Sequence, residues 1–291
     1  MFKSSSLRPC ARVFFVFIAL ILAVPLQSYQ AQAADWYNSS WTYRKSIVID
    51  QTDDLGADAK YQMKLKVGKS SSATGADVNC ADHCEADFDD LRFTKSDGTT
   101  LLDYWIESIS GSGSSALATV WIETILLDDA ADTTIYMYYG NSSATAASNG
   151  DNTFVFFDDF EDGTINKWTA ELNGGTISAA TKQVVIDAPA NKDMWNGTDT
   201  APKIYKAITP TIFAAYGKVI SFAPAKSYDG TGIGIRKDAS NWVRETREYA
   251  DGQKMMSQRC NAGTSDSVDQ DSFTTTTNFY TKLIYNNGTT Y

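Results

Sequence analysis

A chain of 291 residues, 43% of them apolar and 12% aromatic, is long enough for about two domains and apolar enough to bury their cores. Its 35 acidic residues outnumber 25 basic ones, and the resulting net charge of −10 argues against nucleic acid and anionic lipid as partners. With a single histidine, His83, the chain offers neither a Ser–His–Asp nor a Cys–His mechanism.

The first 33 residues have the pattern of a cleaved secretory signal peptide. Basic residues (Lys3, Arg8, Arg12) precede an apolar run at 13–26, and the small residues of 31–33 (AQA) form a cleavage site. The run is shorter than the roughly 20 residues that span a bilayer, and no later segment is longer. We therefore predict a secreted or cell-surface protein with no membrane span in the mature chain, whose net charge falls from −10 to −13 on cleavage.

The mature chain keeps three cysteines. They are Cys80, Cys84 and Cys260. The oxidising environment of a secreted protein favours a Cys80–Cys84 disulfide that closes a short loop. The alternative is a metal site in the same loop, with further ligands from Asp82, His83, Glu85 and Asp87. A lone C-x-x-x-C without a second cysteine pair fits zinc poorly.

Short segments with alternating apolar residues follow one another from residue 36 to residue 140. They predict strands at 41–49, 60–67, 91–94, 101–109, 117–126 and 133–139, separated by Gly, Ser and Asp. No segment has the 3.6-residue period of an amphipathic helix. The pattern predicts an all-β chain whose first domain, residues 34–140, is a β-sandwich.

One hairpin of this domain can be given a register. If the turn GSGSS at 111–115 is centred on Gly113, Trp105 lies opposite Trp121 and Glu107 lies opposite Thr119. Both tryptophans then share a face with polar residues, and the other face is apolar. Such a pair offers a flat platform for a sugar ring. The alternative is that another part of the chain covers it, because large aromatic side chains are mostly buried.

Four segments carry a resemblance to a known family. They are WTYRKSIVI at 41–49, DDLRFTKSDGTTLLDYWIE at 89–107, TVWIE at 119–123 and TIYMYYGN at 134–141. Together they make residues 36–147 similar to a secreted prokaryotic family, the domain of unknown function numbered 2341. The resemblance implies a secreted or surface multidomain protein, and it brings no catalytic residues to transfer.

A small polar segment, NSSATAASNGDN at 141–152, is typical of a linker. The second domain, 153–291, opens with FVFFDDFEDGTINKW, which resembles the first strand and loop of concanavalin A-like lectin and glucanase jelly rolls. Strands are predicted at 183–188, 203–208, 218–222, 232–236, 242–249, 255–259 and 279–285. Because the NNG turn at 286–288 normally returns into another strand, we expect this domain to be incomplete at its C-terminus and further domains to follow in a longer parent protein.

The densest acidic cluster of the chain lies at the start of the second domain. It consists of Asp158, Asp159, Glu161 and Asp162. Calcium takes oxygen ligands from carboxylates, and the jelly-roll resemblance implies a structural calcium here. The alternative is an acidic turn in solvent that ends at Gly163.

Trp195 and Trp242 stand beside predicted turns, where an indole ring stacks on a sugar or packs in the core. The E-x-D-x-x-E strand motif of jelly-roll glucanases is missing from the sequence. Glu245 and Glu248 come nearest to it, but their spacing puts them on opposite faces of a strand. We assign no catalytic residue.

These observations favour a secreted, non-catalytic module that binds carbohydrate or another surface ligand through aromatic side chains, with a polysaccharide or cell-surface glycan as partner. The fold analogy supplies most of that ligand. Two alternatives stay open. One is a purely structural spacer or adhesion domain of a larger envelope protein, and the other is the accessory part of a polysaccharide-degrading enzyme.

Overall fold

A computed structural model describes residues 35–50, 62–123, 132–180, 182–209, 212–220, 222, 226–249, 252–272, 278–286 and 289–290. The predicted signal peptide and the turn residues 287 and 288 lie outside these ranges. The described chain is all-β, as predicted. It divides into two compact units, Met1–Asn149 and Gly150–Tyr291, and the division falls within the segment predicted as a linker.

No helix among the described residues is both long enough and apolar enough to cross a membrane.

The first unit consists of two four-stranded sheets. Its strands are β1 (Tyr43–Ile49), β2 (Gln62–Gly68), β3 (Val78–Asn79), β4 (Arg92–Thr94), β5 (Leu101–Leu102), β6 (Tyr104–Ser110), β7 (Leu117–Glu123) and β8 (Thr133–Tyr139). One sheet has the order β1-β8-β4-β5 and the other β3-β2-β7-β6. The predicted strand at 101–109 is divided at Asp103, because β5 pairs with β4 in one sheet and β6 pairs with β7 in the other.

Apolar side chains from both sheets form one buried cluster in this unit. On β2, Leu65 and Val67 are buried, whereas the alternate residues Lys64 and Lys66 are exposed. The same alternation on β7 buries Val120 and Ile122. Strand alternation therefore gives each sheet one core face and one outward face.

A buried carboxylate joins two loops of the first unit, the one between β3 and β4 and the one after β8. Asp90 Oδ2 accepts hydrogen bonds from the backbone N–H groups of Gly140 (2.6 Å) and Asn141 (3.3 Å), and Oδ1 accepts one from Glu85 (2.9 Å). Gly140 has a φ of +87°, and a Cβ at this position would lie 2.5 Å from the Tyr43 ring. The DDLRF and YMYYGN motifs thus meet at a structural contact.

Residues of the predicted linker are hydrogen-bonded to the first unit. Asn149 N–H donates to the Tyr104 carbonyl (2.8 Å), and the Ser148 hydroxyl accepts from the Ile106 N–H (2.8 Å). These bonds lie before the division of the chain at Gly150, where a single helical turn, α1 (Gly150–Thr153), begins the second unit.

The second unit contains eleven described strands in four sheets. They are β9 (Thr169–Glu171), β10 (Thr176–Ala180), β11 (Gln183–Asp187), β12 (Lys203–Tyr205), β13 (Ile212–Val219), β14 (Gly230–Asp238), β15 (Asn241–Tyr249), β16 (Gln253–Asn261), β17 (Thr264–Ser272), β18 (Phe279–Asn286) and β19 (Thr289–Thr290). The largest sheet has the order β14-β15-β16-β17, and β13 pairs with β18 and β18 with β19 in a second one. The pairs β10–β11 and β12–β9 complete the set.

The two faces of the β14–β17 sheet have different surroundings. A Cβ at Gly217 of β13 would collide with the Ile233 side chain of β14, so the odd-numbered face at β14 packs against the β13–β18 sheet. Because side chains alternate along a strand, the even-numbered residues of β14 and β15 lie on the opposite face. We call this the even face.

Candidate functional site

The tryptophan pair of the first unit has the predicted register. Trp105 of β6 lies opposite Trp121 of β7, which confirms that pairing. The predicted pairing of Glu107 with Thr119 is wrong, because a β-bulge shifts the register and Ser108 faces Thr119 instead. Nothing in the alternation of apolar residues marks this bulge, so it could not be predicted from the sequence.

The bulge places Glu107 beside the tryptophans. Glu107 Oε2 accepts a hydrogen bond from Trp121 Nε1 (2.9 Å) and lies 3.1 Å from Lys64 Nζ. The Lys64 ammonium in turn lies 5.1 Å from the centroid of the Trp121 ring. A cation, a carboxylate and two indoles therefore share the outward face of this sheet, and the charges of Lys64 and Glu107 neutralise each other locally.

Both tryptophans are half-buried. Tyr104, next to Trp105, and Val120 and Ile122, on either side of Trp121, point the other way and are buried, so the tryptophans are not part of the apolar core. Part of each indole is open to solvent, which is the condition that stacking on a ligand requires.

In the second unit, Trp195 and Trp242 come together although 47 residues separate them. Their ring centroids are 6.3 Å apart, and Arg244 packs on both, with its guanidinium carbon 4.8 Å from the Trp242 centroid and 5.9 Å from that of Trp195. Trp242 is only 3% exposed, whereas Trp195 is half-buried. Trp195 is therefore the better placed of the two to touch a ligand.

A row of polar side chains continues from Arg244 along the even face. Arg244 Nε donates to Gln258 Oε1 (2.7 Å), and Gln258 Nε2 donates to Glu248 Oε2 (3.0 Å). Thr246, Glu248 and Gln258 are each at most 5% exposed. This row was not predicted from the sequence. The polar residues at 244, 246 and 248 in NWVRETREY were its only signal, and they are equally typical of a solvated strand.

Burial affects both charged members of the row. Desolvation lowers the pKa of the Arg244 guanidinium, and the charges of Glu248 and Asp193 partly offset this effect. Desolvation likewise raises the pKa of the Glu248 carboxyl, against the effects of Arg244 and of the hydrogen bonds from Gln258 and Thr246.

Glu245 and Glu248 lie on opposite faces of β15. Glu245 pairs with Ile233 and Ser257, whereas Glu248 pairs with Gly230 and Lys254. Their carboxylates therefore cannot flank one glycosidic bond, which is the arrangement that hydrolysis by a carboxylate pair requires.

The four acidic residues at 158–162 are engaged in separate local contacts. Asp158 accepts from Trp168 Nε1 (2.6 Å), Asp162 accepts from the Thr164 hydroxyl (2.8 Å), and Glu161 forms an ion pair with Lys182 (2.9 Å). Within the described residues, no group of three or more His, Cys, Asp or Glu side chains could hold a metal ion. Calcium binding at Asp158, Asp159, Glu161 and Asp162 stays a prediction that the geometry does not favour.

The cysteine loop holds two buried thiols. Cys80 and Cys84 are free rather than joined in the predicted disulfide, although a hydrogen bond between their side chains places them next to each other. That hydrogen bond and burial raise the pKa of the Cys80 thiol. His83 stacks on Tyr43 with its ring centroid 4.0 Å away, so its ring packs on an aromatic neighbour. The disulfide itself stays a prediction.

Two family models match the chain in succession. Residues 87–171 match the model described as "Domain of unknown function (DUF2341)", and residues 172–290 match "Protein of unknown function (DUF1349)", a concanavalin-like jelly-roll family. Both resemblances in the sequence are thereby confirmed. The first match begins within the first unit and runs 22 residues past its end.

Comparison with solved structures gives two crystal structures of the GH43 protein BlXynB from Bacillus licheniformis, one of them of a mutant. Each is 13% identical to this chain with a TM-score of 0.41. The mutant covers 64% of this chain and the other structure 68%, and the chain spans 37% and 40% of their respective lengths. The comparison with curated proteins gives no match.

Proposed function

We propose that this protein is a secreted, non-catalytic module that binds carbohydrate, as a polysaccharide or a cell-surface glycan. The observation that carries the proposal is the cross-strand pair Trp105–Trp121 on the outward face of the β3-β2-β7-β6 sheet. Two half-exposed indoles side by side provide the flat apolar surface on which the C–H face of a pyranose stacks.

The polar groups around the pair suit the rest of a sugar. Lys64 is about half exposed and Glu107 is 21% exposed, so both remain within reach of hydroxyl groups beside the rings. A few placed polar groups around an aromatic surface are the usual composition of a small-molecule site. Because Lys64 and Glu107 form an ion pair, the surface is locally neutral, which favours a neutral sugar over a charged one.

The test is a glycan array with the chain from Ala34 onward, first with calcium and then with chelator. We expect binding that falls at least tenfold in Trp121→Ala and in Trp105→Ala, because each change removes one stacking surface. Tyr228→Ala is the matched control, since Tyr228 is 80% exposed and lies in the other unit.

Three outcomes are informative. A folded protein that binds no glycan would contradict the proposal and favour a structural spacer. Binding that both tryptophan variants retain would place the site elsewhere. If chelator abolishes glycan binding and the tryptophan substitutions do not, the binding site would instead involve the acidic residues at 158–162.

A further inference from the structure

Arg244 is a partly buried cation whose terminal nitrogens are not used within the described chain. Its Nε is fixed by Gln258, and its guanidinium packs on the rings of Trp195 and Trp242. No ion pair of Arg244 and no hydrogen bond from its two terminal nitrogens occurs among the described residues. The charges of Glu248 and Asp193 only partly offset the desolvation of this guanidinium, so an acceptor from outside the chain that pairs with its terminal N–H groups adds stabilisation.

A second unpartnered donor lies beside it. Trp242 is 3% exposed, and its Nε1 has no hydrogen-bond partner in the described structure. The unused groups at this place are therefore all donors. Trp242 Nε1 is sealed from solvent, so the groups that a ligand can reach are the terminal N–H donors of Arg244, which require acceptor oxygens and favour negatively charged ones.

The neighbouring strand leaves room for such a ligand. Gly234 of β14 pairs with Arg244 and is exposed, and Gly230 and Gly232 occupy the next two positions of the even face, also exposed. These three glycines carry no side chains beside Arg244, and the next even-numbered residue, Arg236, pairs with Trp242 and forms an ion pair with Asp199. The guanidinium is therefore open on the side of β14, while Gln258 and the two indoles hold it on the others.

We propose that the even face of the second unit binds a carboxylate-bearing sugar, with Arg244 holding the carboxylate and Trp195 stacking on the ring. Two parallel N–H donors of a guanidinium match the two oxygens of a carboxylate, and the packing on Trp242 and the bond to Gln258 fix the orientation of Arg244 before binding. Trp195 is half-buried at the same place and supplies the apolar surface. The site is separate from the tryptophan pair of the first unit, so this inference stands or fails independently of the proposed function.

The purely structural interpretation makes a different prediction. If Arg244 only fills space between two indoles, the protein binds neutral and acidic sugars alike at this face, or binds neither. A ligand whose carboxylate can be masked distinguishes the two interpretations without changing the protein.

The test is a titration of the mature chain, followed by tryptophan fluorescence and by calorimetry. The probes are oligosaccharides of galacturonate, of glucuronate and of mannuronate, each also as its methyl ester. We expect at least one of the three to bind and its ester to bind at least tenfold more weakly, because the ester loses the charge but keeps the ring.

Two arginine variants complete the test. Arg244→Lys keeps the charge but loses the paired donors, and we expect at least tenfold weaker binding with an unchanged unfolding midpoint. Arg259→Lys is the matched control, because Arg259 lies on a neighbouring strand and is exposed in an ion pair with Asp266. It should bind as the parent does, and so should Trp121→Ala.

The proposal is overturned if none of the three acidic oligosaccharides binds, if an ester binds as tightly as its acid, or if Arg244→Lys retains full affinity while folded. It is supported if masking the carboxylate and replacing Arg244 each weaken binding and the two effects are not additive.

Discussion

The side chain of Asp90 joins two loops of the first unit through backbone hydrogen bonds. It is fully buried, and its two carboxylate oxygens accept from backbone N–H groups at Glu85, Gly140 and Asn141. In Asp90→Asn one of these oxygens becomes an NH₂ group that faces a donor. We expect the free energy of unfolding to fall by about 1.5–3 kcal/mol, the range for hydrogen bonds to a charged group. Urea unfolding of the intact chain measures it.

The control is Asp87→Asn in the same loop. Asp87 is exposed and accepts only from the nearby Asp89 N–H (3.2 Å), so its loss should change stability by less than about 0.5 kcal/mol. If Asp87→Asn lowers the free energy of unfolding as much as Asp90→Asn does, the buried hydrogen bonds of Asp90 are not the cause of the loss.

The turn between β4 and β5 gives the fold a pH-dependent element. Asp97 accepts from the hydroxyl and backbone N–H of Thr100 and from the N–H of Thr99, and these bonds lower its pKa from 3.8 to about 2. The folded state thus favours the ionised carboxylate. Its contribution to stability is present above pH 4 and is lost as the pH falls from about 4 to 2.

We therefore expect Asp97→Asn to flatten the dependence of stability on pH between 4 and 2. Carboxyl NMR titration of the parent should show the low pKa directly, and Thr100→Val, which removes the hydroxyl donor only, should raise it part of the way. A normal Asp97 pKa in the folded parent would contradict this account. The effect is small because the turn is exposed to solvent.

Two strands show what a sequence pattern can and cannot predict. β7 was recognised because Ala118, Val120 and Ile122 recur at every second position and are all buried. β17 was missed because its sequence, TSDSVDQDS, contains one apolar residue, Val268, which is 59% exposed. β17 is held in the sheet by backbone hydrogen bonds to β16. Backbone pairing does not require apolar residues at alternate positions, so the sequence shows no strand pattern here.

The candidate sites were likewise predictable only where they depend on local strand alternation. The Trp105–Trp121 pairing could be predicted because it depends on alternation and on a short turn. The bulge at Glu107 and the approach of Trp195 to Arg244 could not. The first changes the register by one residue without an apolar signal, and the second depends on contacts between segments about 50 residues apart.

For the whole molecule, the apolar core is distributed unequally between the two units. Of the 23 buried apolar residues that the structure describes, 19 lie in the first unit and four in the second. Buried apolar area is the main stabilising term in folding. We expect the first unit to be the more stable one. In the intact chain, the amide hydrogens of β7 and β8 should exchange more slowly than those of β15 and β16 when followed by mass spectrometry.

The opposite order of protection would show that the polar row on the even face stabilises the second unit more than its apolar burial suggests.

The order of strands in the first unit has a consequence for its biosynthesis. β1 pairs with β8, so that Tyr43 lies opposite Tyr139, and Asp90 finds two of its three partners only at 140 and 141. At a translation rate of about 5–20 residues per second, roughly 5–20 s pass between the synthesis of the first strand and that of its partner. During that interval no hydrogen-bonded neighbour exists for β1. The first unit therefore cannot reach its final fold until the region after Gly140 has been made.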